Sequence, residues 1–259
     1  MMPPKIFLGA ASVLYLIGFL VCFLSLAASR MHRFPWGEAC VAAGFAFHLM
    51  ACVLCPFSRM NLQLVLSLFA LATVVIYFIL RVLKRGQGLW LFAFPLVFIL
   101  SFSALILPMK SSATPGLSHT YFLLHIVAVL LGISGIFFGI LYSFLYLFQE
   151  KALKSKRWGG VSALGPSLNK ADSFAVHSLW GGFILYTAGV IMGMVWSYGE
   201  KGVPATGSQK EVGAFVAWGI FALLLIIRAR YGWRGWKALA LYALGVLSIL
   251  AALGGIRVL

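Results

Sequence analysis

The chain has 259 residues, 63% of them hydrophobic and 10% charged, with a mean hydropathy of +1.03. A water-soluble domain of this length carries roughly a quarter of its residues charged, so composition excludes a soluble globular fold. The formal net charge of +15 lies in loops between apolar runs rather than on a soluble face, which excludes nucleic-acid binding.

Lipid cannot hydrogen-bond a bare backbone, so the apolar runs must be helices or a closed barrel. They lack period-two alternation and approach twenty residues, which predicts an all-α polytopic membrane bundle of about eight transmembrane helices. In chain order the expected spans are Ile6–Ala27, Ala39–Pro56, Leu62–Leu83, Leu89–Pro108, Thr120–Phe148, Phe174–Ser197, Val212–Arg228 and Lys237–Gly254. The first is too long for a signal-peptide core and reads as a retained helix. The second is short and interrupted by polar residues, and the fifth is long enough to tilt or to project into water. No soluble domain intervenes, so residues 1–259 read as one integral membrane domain, with four N-terminal helices in 1–108 and a second region in 119–255. The two longest loops, Gln149–Ser173 and Tyr198–Glu211, are punctuated by glycine and proline.

Alternate loops carry the cations unequally. Fourteen fall in one set, among them Arg81, Lys151, Lys154, Lys156, Lys170, Arg228, Arg230, Arg234 and Lys237. The other set has six, among them Lys5, Lys201 and Lys210. The positive-inside rule puts the first set in the cytoplasm. Both termini then face outward, which requires an even number of spans and fits a multi-pass protein of a bacterial-type inner membrane.

The five acidic residues, Glu38, Glu150, Asp172, Glu200 and Glu211, all sit in loops or at helix ends. Proton-coupled transporters and membrane proteases built on carboxylates need such groups inside the membrane, so the pattern argues against both. Nor does any P-loop, zincin or dinucleotide fingerprint occur.

Histidines remain as candidates. His32 and His119 lie in loops, and His177 stands near the cytoplasmic start of its helix. His48 lies about 12 Å, and His125 about 9 Å, below the outer ends of their helices at 1.5 Å per residue. Two imidazoles at one depth can ligate a haem iron axially or simply hydrogen-bond their neighbours. His48, Cys52 and Cys55 share one helix face. The Cys-x-x-Cys reads either as packing thiols or as a redox pair, and Pro56 rules out a haem-attachment motif. On the fifth helix His125, Ala128, Gly132, Gly135 and Gly139 form a small-residue face, and Gly182, Gly189 and Gly193, with Tyr186, do so on the sixth. These seams allow close helix packing, or room for a flat cofactor, or both.

The run His125-Ile-Val-Ala-Val-Leu-Leu-Gly132, continuing to Tyr146-Leu-Phe-Gln-Glu-Lys151, resembles the central helix of the cytochrome c assembly family, which includes CcsA-type and HemX-type haem-handling proteins. Leu164, Pro166, Leu168 and Asp172, then Gly182-Phe183 and Gly193-Met-Val-Trp196, resemble its next helix. Lys210-Glu211 with Trp218 and Tyr231-Gly-Trp-Arg-Gly235 resemble later stretches of the same family. The resemblance implies a haem-binding membrane protein of cytochrome c biogenesis, holding or delivering a non-covalent, b-type haem at the outer side of the membrane. On that analogy His125 is an iron ligand; His48, at matching depth, is its candidate partner, His177, His119 and Trp196 are further haem-contacting candidates, and Lys201 and Lys210 are candidates to pair with the propionates. The implied partners, besides membrane lipid, are a second membrane subunit and an apocytochrome c. The sequence also departs from the family pattern. No tryptophan stands between Trp196 and Trp218, Ser208-Gln209 replace an Asp-Pro, and Ile226 stands where CcsA-type chains carry a histidine. These departures favour an auxiliary, HemX-like haem protein over a full haem-ligating synthetase. A cofactor-free assembly subunit is the alternative from another class.

Overall fold

Apolar runs of this length can satisfy their backbone in lipid only by winding into helices, and the computed structural model shows eight of them among the residues it describes. It describes residues 3–28, 34–54, 62–107, 120–156 and 165–254. The helices are α1 (Pro3–Ala27), α2 (Phe34–Val53), α3 (Leu62–Val82), α4 (Trp90–Ile106), α5 (Thr120–Lys154), α6 (Leu168–Lys201), α7 (Gln209–Tyr231) and α8 (Gly235–Gly254), and no strand occurs among the described residues. Six are long and apolar enough to cross a membrane, and α4 and α8 are shorter apolar helices. The protein is a polytopic helical membrane protein.

The chain divides into two compact units, Met1–Gly116 and Leu117–Leu259. In the first, α1 and α2 approach through glycine. A Cβ on Gly18 would lie 2.8 Å from the Gly37 carbonyl oxygen, and one on Gly44 would press on the Tyr15 ring at 3.0 Å. Polar pairs link the other helices. Ser12 Oγ donates to Ser101 Oγ at 3.0 Å between α1 and α4. Glu38, in the second turn of α2, accepts from Tyr77 Oη at 2.7 Å and from Arg81 Nε at 2.6 Å, both on α3.

In the second unit α5 and α6 pack along the glycine seam, and α7 and α8 complete a core around Phe221, Leu224, Leu179, Ile136 and Tyr242. Tyr186 Oη donates to the Ala214 carbonyl at 3.0 Å, tying α6 to α7. Trp218 Nε1 donates to Thr187 Oγ1 at 2.9 Å between the same helices.

Several boundaries differ from the sequence reading. α6 begins at Leu168 rather than Phe174, because its polar first turns are held by ion pairing: Arg228 Nη2 lies 2.5 Å from Asp172 Oδ1, and Arg234 Nε lies 3.0 Å from Oδ2. Arg228 is therefore a buried helical residue near the end of α7, not the loop cation that the charge pattern assumed. α2 starts at Phe34, five residues earlier than expected. α7 starts at Gln209 instead of Val212, because Ser208 and Glu211 form a capping box. The Glu211 carboxylate also accepts from Thr206 N at 2.6 Å, folding the preceding loop onto the helix start. A Ser208→Ala variant loses the side-chain bond to Glu211 N, and its folding stability should fall by about 1 kcal/mol. Thermal unfolding in detergent, beside the parent chain, checks this.

Candidate functional site

His125 lies just over a turn into α5, facing α6. Its Nδ1 is 2.6 Å from the Gly189 carbonyl oxygen. A carbonyl only accepts, so Nδ1 carries the proton, and in the neutral ring the lone pair is left on Nε2. Nε2 has no hydrogen-bond partner among the described residues. The ring rests directly over Gly193, where any Cβ would come within 2.7 Å of its Cε1 and Nδ1. Glycine at 193 is thus a steric requirement of the histidine's position.

Around this ring stand aromatic and cationic groups. Phe122, one turn back on α5, has its ring centroid 6.3 Å from that of His125 and 4.7 Å from that of Trp196. Trp196 Nε1 is buried without a hydrogen-bond partner. Lys201 Nζ lies 5.7 Å from the centroid of a Trp196 ring. A half-buried imidazole with a free, oriented lone pair, an orphaned indole N–H and a nearby ammonium together suit a metal-centred, anionic, aromatic ligand such as haem.

His48 is in a different situation. It belongs to the first unit, is fully buried, and both ring nitrogens are engaged. Nδ1 is 3.2 Å from Tyr15 Oη, and Nε2 is 2.7 Å from Ser67 Oγ, which in turn lies 3.5 Å from Cys52 Sγ. In this arrangement both nitrogens of His48 are engaged by hydrogen bonds within the first unit. His48 is a hydrogen-bonded core residue joining α1, α2 and α3. Cys22, Cys40 and Cys52 form no disulfide among the described residues, and Cys55 lies outside them.

His177 is exposed in the third turn of α6, its Nδ1 donating to the Ser173 carbonyl at 2.6 Å one turn earlier. It precedes Gly189 by twelve residues, about 18 Å along the helix axis, so it does not join His125. His119 lies outside the described residues, as does His32. The expected space beside the glycine seam is also absent along its length. A Cβ on Gly132 would lie 2.5 Å from Tyr186 N, and one on Gly189 would lie 2.8 Å from Val129 N. The opposite helix backbone occupies that volume, so the seam packs helices, and only its His125 end presents a ligand-binding group.

Phe122 and the Gly189 carbonyl were not singled out by the sequence. Phe122 was findable as the residue three positions before His125, whereas a main-chain carbonyl on another helix leaves no sequence signal.

A family model described as Cytochrome C assembly protein matches residues 36–259. Proteins named cytochrome c biogenesis protein CcsA are similar over part of the chain. That of Prochlorococcus marinus (strain MIT 9301) is 29% identical over 184 residues, covering 62% of this chain and 60% of its own. That of Guillardia theta is 30% identical over 172 residues, covering 59% and 57%. That of Chlamydomonas reinhardtii is 27% identical over 141 residues, covering 54% and 38%. The chain thus matches at most about three-fifths of the length of these relatives. No solved structure matches it. With more than half of its residues matched by one family model, the chain belongs to the cytochrome c assembly protein family.

Proposed function

We propose that this protein acts in cytochrome c biogenesis by holding haem as cargo at the outward-facing end of its second unit, with His125 Nε2 as one axial ligand. The observation that carries the reading is the 2.6 Å bond from His125 Nδ1 to the Gly189 carbonyl, which fixes the tautomer with its lone pair on Nε2. Such a second bond orients a ligating histidine and raises its basicity. Trp196 Nε1 is a donor without a partner, and Lys201 supplies positive charge beside it. Both suit the carboxylates that haem carries at its edge. The outward orientation is supported by the loops at the opposite end of this unit, which hold most of its cations. Bound haem is the group to be attached to an apocytochrome c. What this chain contributes is the ligand, the aromatic flank and the charge that hold it non-covalently until a partner subunit and the apocytochrome receive it.

The test is the visible spectrum of the detergent-purified full chain, oxidised and reduced, after haem is supplied. A Soret band is expected, lost in His125→Ala, restored to His125→Gly by added imidazole, and kept in His48→Ala. Absence of any band overturns the proposal and favours a cofactor-free assembly subunit, and a band that survives loss of His125 overturns His125 as the ligand. The doubly bonded His48, an ionisable group satisfied wholly within the protein, supports that second reading for the first unit.

A further inference from the structure

The loop at the His125 end of the second unit, residues 202–208 between α6 and α7, has little apolar packing to hold it. Every residue from Lys201 to Lys210 is exposed, and Gly202, Pro204 and Gly207 leave the segment without regular structure. Segments of this kind open readily unless something ties them down. Here hydrogen bonds fasten the loop at three points. Gly202, left-handed at φ 72°, closes α6 by donating its N–H to the Tyr198 carbonyl at 2.9 Å. The Val203 carbonyl accepts from Ser197 Oγ at 3.0 Å, and Ser197 is a buried residue of α6. Glu211 holds the far end. Its carboxylate accepts from Thr206 N at 2.6 Å, from Thr206 Oγ1 at 2.9 Å and from Ser208 N at 3.3 Å.

The Thr206 bonds are more than α7 needs. Exchange between Ser208 and Glu211 already completes the capping box, whereas Thr206 stands two residues before the cap and donates nothing to the helix. What its two bonds do is draw the loop back onto α7. The other fastener stands beside the proposed haem site, since Ser197 directly follows Trp196. Between the fasteners is Lys201, the last residue of α6, with its Nζ 5.7 Å from the centroid of a Trp196 ring. A lysine at an exposed helix end keeps its place only while the last helical turn stays wound, and here that turn is closed by the loop that follows it.

We propose that Glu211 and Ser197 are positioning residues for Lys201: by closing the 202–208 loop they hold the last turn of α6, and with it the ammonium beside Trp196. Only the consequence rests on the haem reading, namely that an ammonium held there pairs with a haem propionate. The closed loop itself is testable without haem.

Trypsin cleaves after lysine in segments that can open locally. In the haem-free full chain purified in detergent, cleavage between Lys201 and Gly202 is followed by mass spectrometry. The parent should be cut slowly, and Glu211→Ala and Ser197→Ala several-fold faster, with cleavage after Lys154 unchanged as an internal control. Haem is then titrated by its Soret absorbance. Both variants should bind haem several-fold more weakly than the parent, yet neither change should weaken binding further in a Lys201→Ala chain. Loss of a carboxylate would by itself favour an anionic ligand, and Ser197→Ala changes no charge, so weaker binding in both variants reports the loop. Unchanged cleavage after Lys201 would overturn the proposal, as would equal losses of affinity with and without Lys201. A parent chain that takes up no haem, but whose variants show the faster cleavage, would support the closed loop and overturn the haem reading alone.

Discussion

Replacing Asp172 by alanine should destabilise the second unit by about 3–5 kcal/mol, the usual consequence of removing one partner from a buried ion pair. The side chain of Arg228 is only 5% exposed and that of Asp172 is 13% exposed, so water cannot take over the lost bonds. Arg228 cannot escape by deprotonation, since guanidinium stays charged in proteins. Arg234 would lose its partner too, but it is half-exposed and can turn to solvent. The damage therefore concentrates on Arg228 and on the joint of α6, α7 and α8 that it closes. Replacing both partners, as Asp172→Leu with Arg228→Met, should recover most of the loss, because desolvation of two charges is then no longer required. Thermal unfolding of the single and double variants in detergent decides the matter. A single variant as stable as the parent would mean that the pair contributes nothing.

The second large effect is expected from one methyl group. Gly182→Ala would put its Cβ 2.5 Å from Ile136 N, 2.7 Å from the Gly132 carbonyl oxygen and 2.9 Å from the Gly135 carbonyl carbon. All three are main-chain atoms of α5, so no side chain can swing aside. The two helices must separate or bend, and overpacking of this kind costs about 1–3 kcal/mol, with rigid backbone favouring the upper end. The neighbouring position is a built-in control. Gly181 faces away, with nothing within 4 Å of its Cβ position, so Gly181→Ala should be neutral or slightly stabilising through helix propensity. Equal unfolding temperatures for the two variants would show that the seam tolerates widening.

Much of the helical layout can be read in the sequence because lipid imposes one rule on every apolar run. α3 was expected at Leu62–Leu83 and ends one residue sooner. The rule fails where polarity has a private explanation. Leu168-Asn-Lys-Ala-Asp172 looks like loop until Arg228, 56 positions later, is found beside Asp172. Ser208-Gln-Lys-Glu211, by contrast, is a local signal that helix rules alone could have recovered. The histidines divide in the same way. That His125 and His48 sit within apolar helices is plain from the sequence, and both then look alike. Their difference lies in partners from other helices, Tyr15 and Ser67 for His48 and a main-chain carbonyl for His125. The glycine pattern was legible as a seam, yet its small residues are as consistent with a facing helix as with a cofactor, and only the close backbone approach decides between them.

The bond from His125 to Gly189 makes the imidazole a gauge of helix register. It joins a side chain of α5 to the main chain of α6, across the same seam that Gly132 and Gly182 hold closed. A slide of α5 along α6 by a single residue is about 1.5 Å, enough to pull Nδ1 from its acceptor and let the proton move to the other nitrogen. The free lone pair would then turn toward the helix instead of away from it. Which nitrogen of the unliganded ring carries the proton therefore depends on how the two helices are threaded past one another.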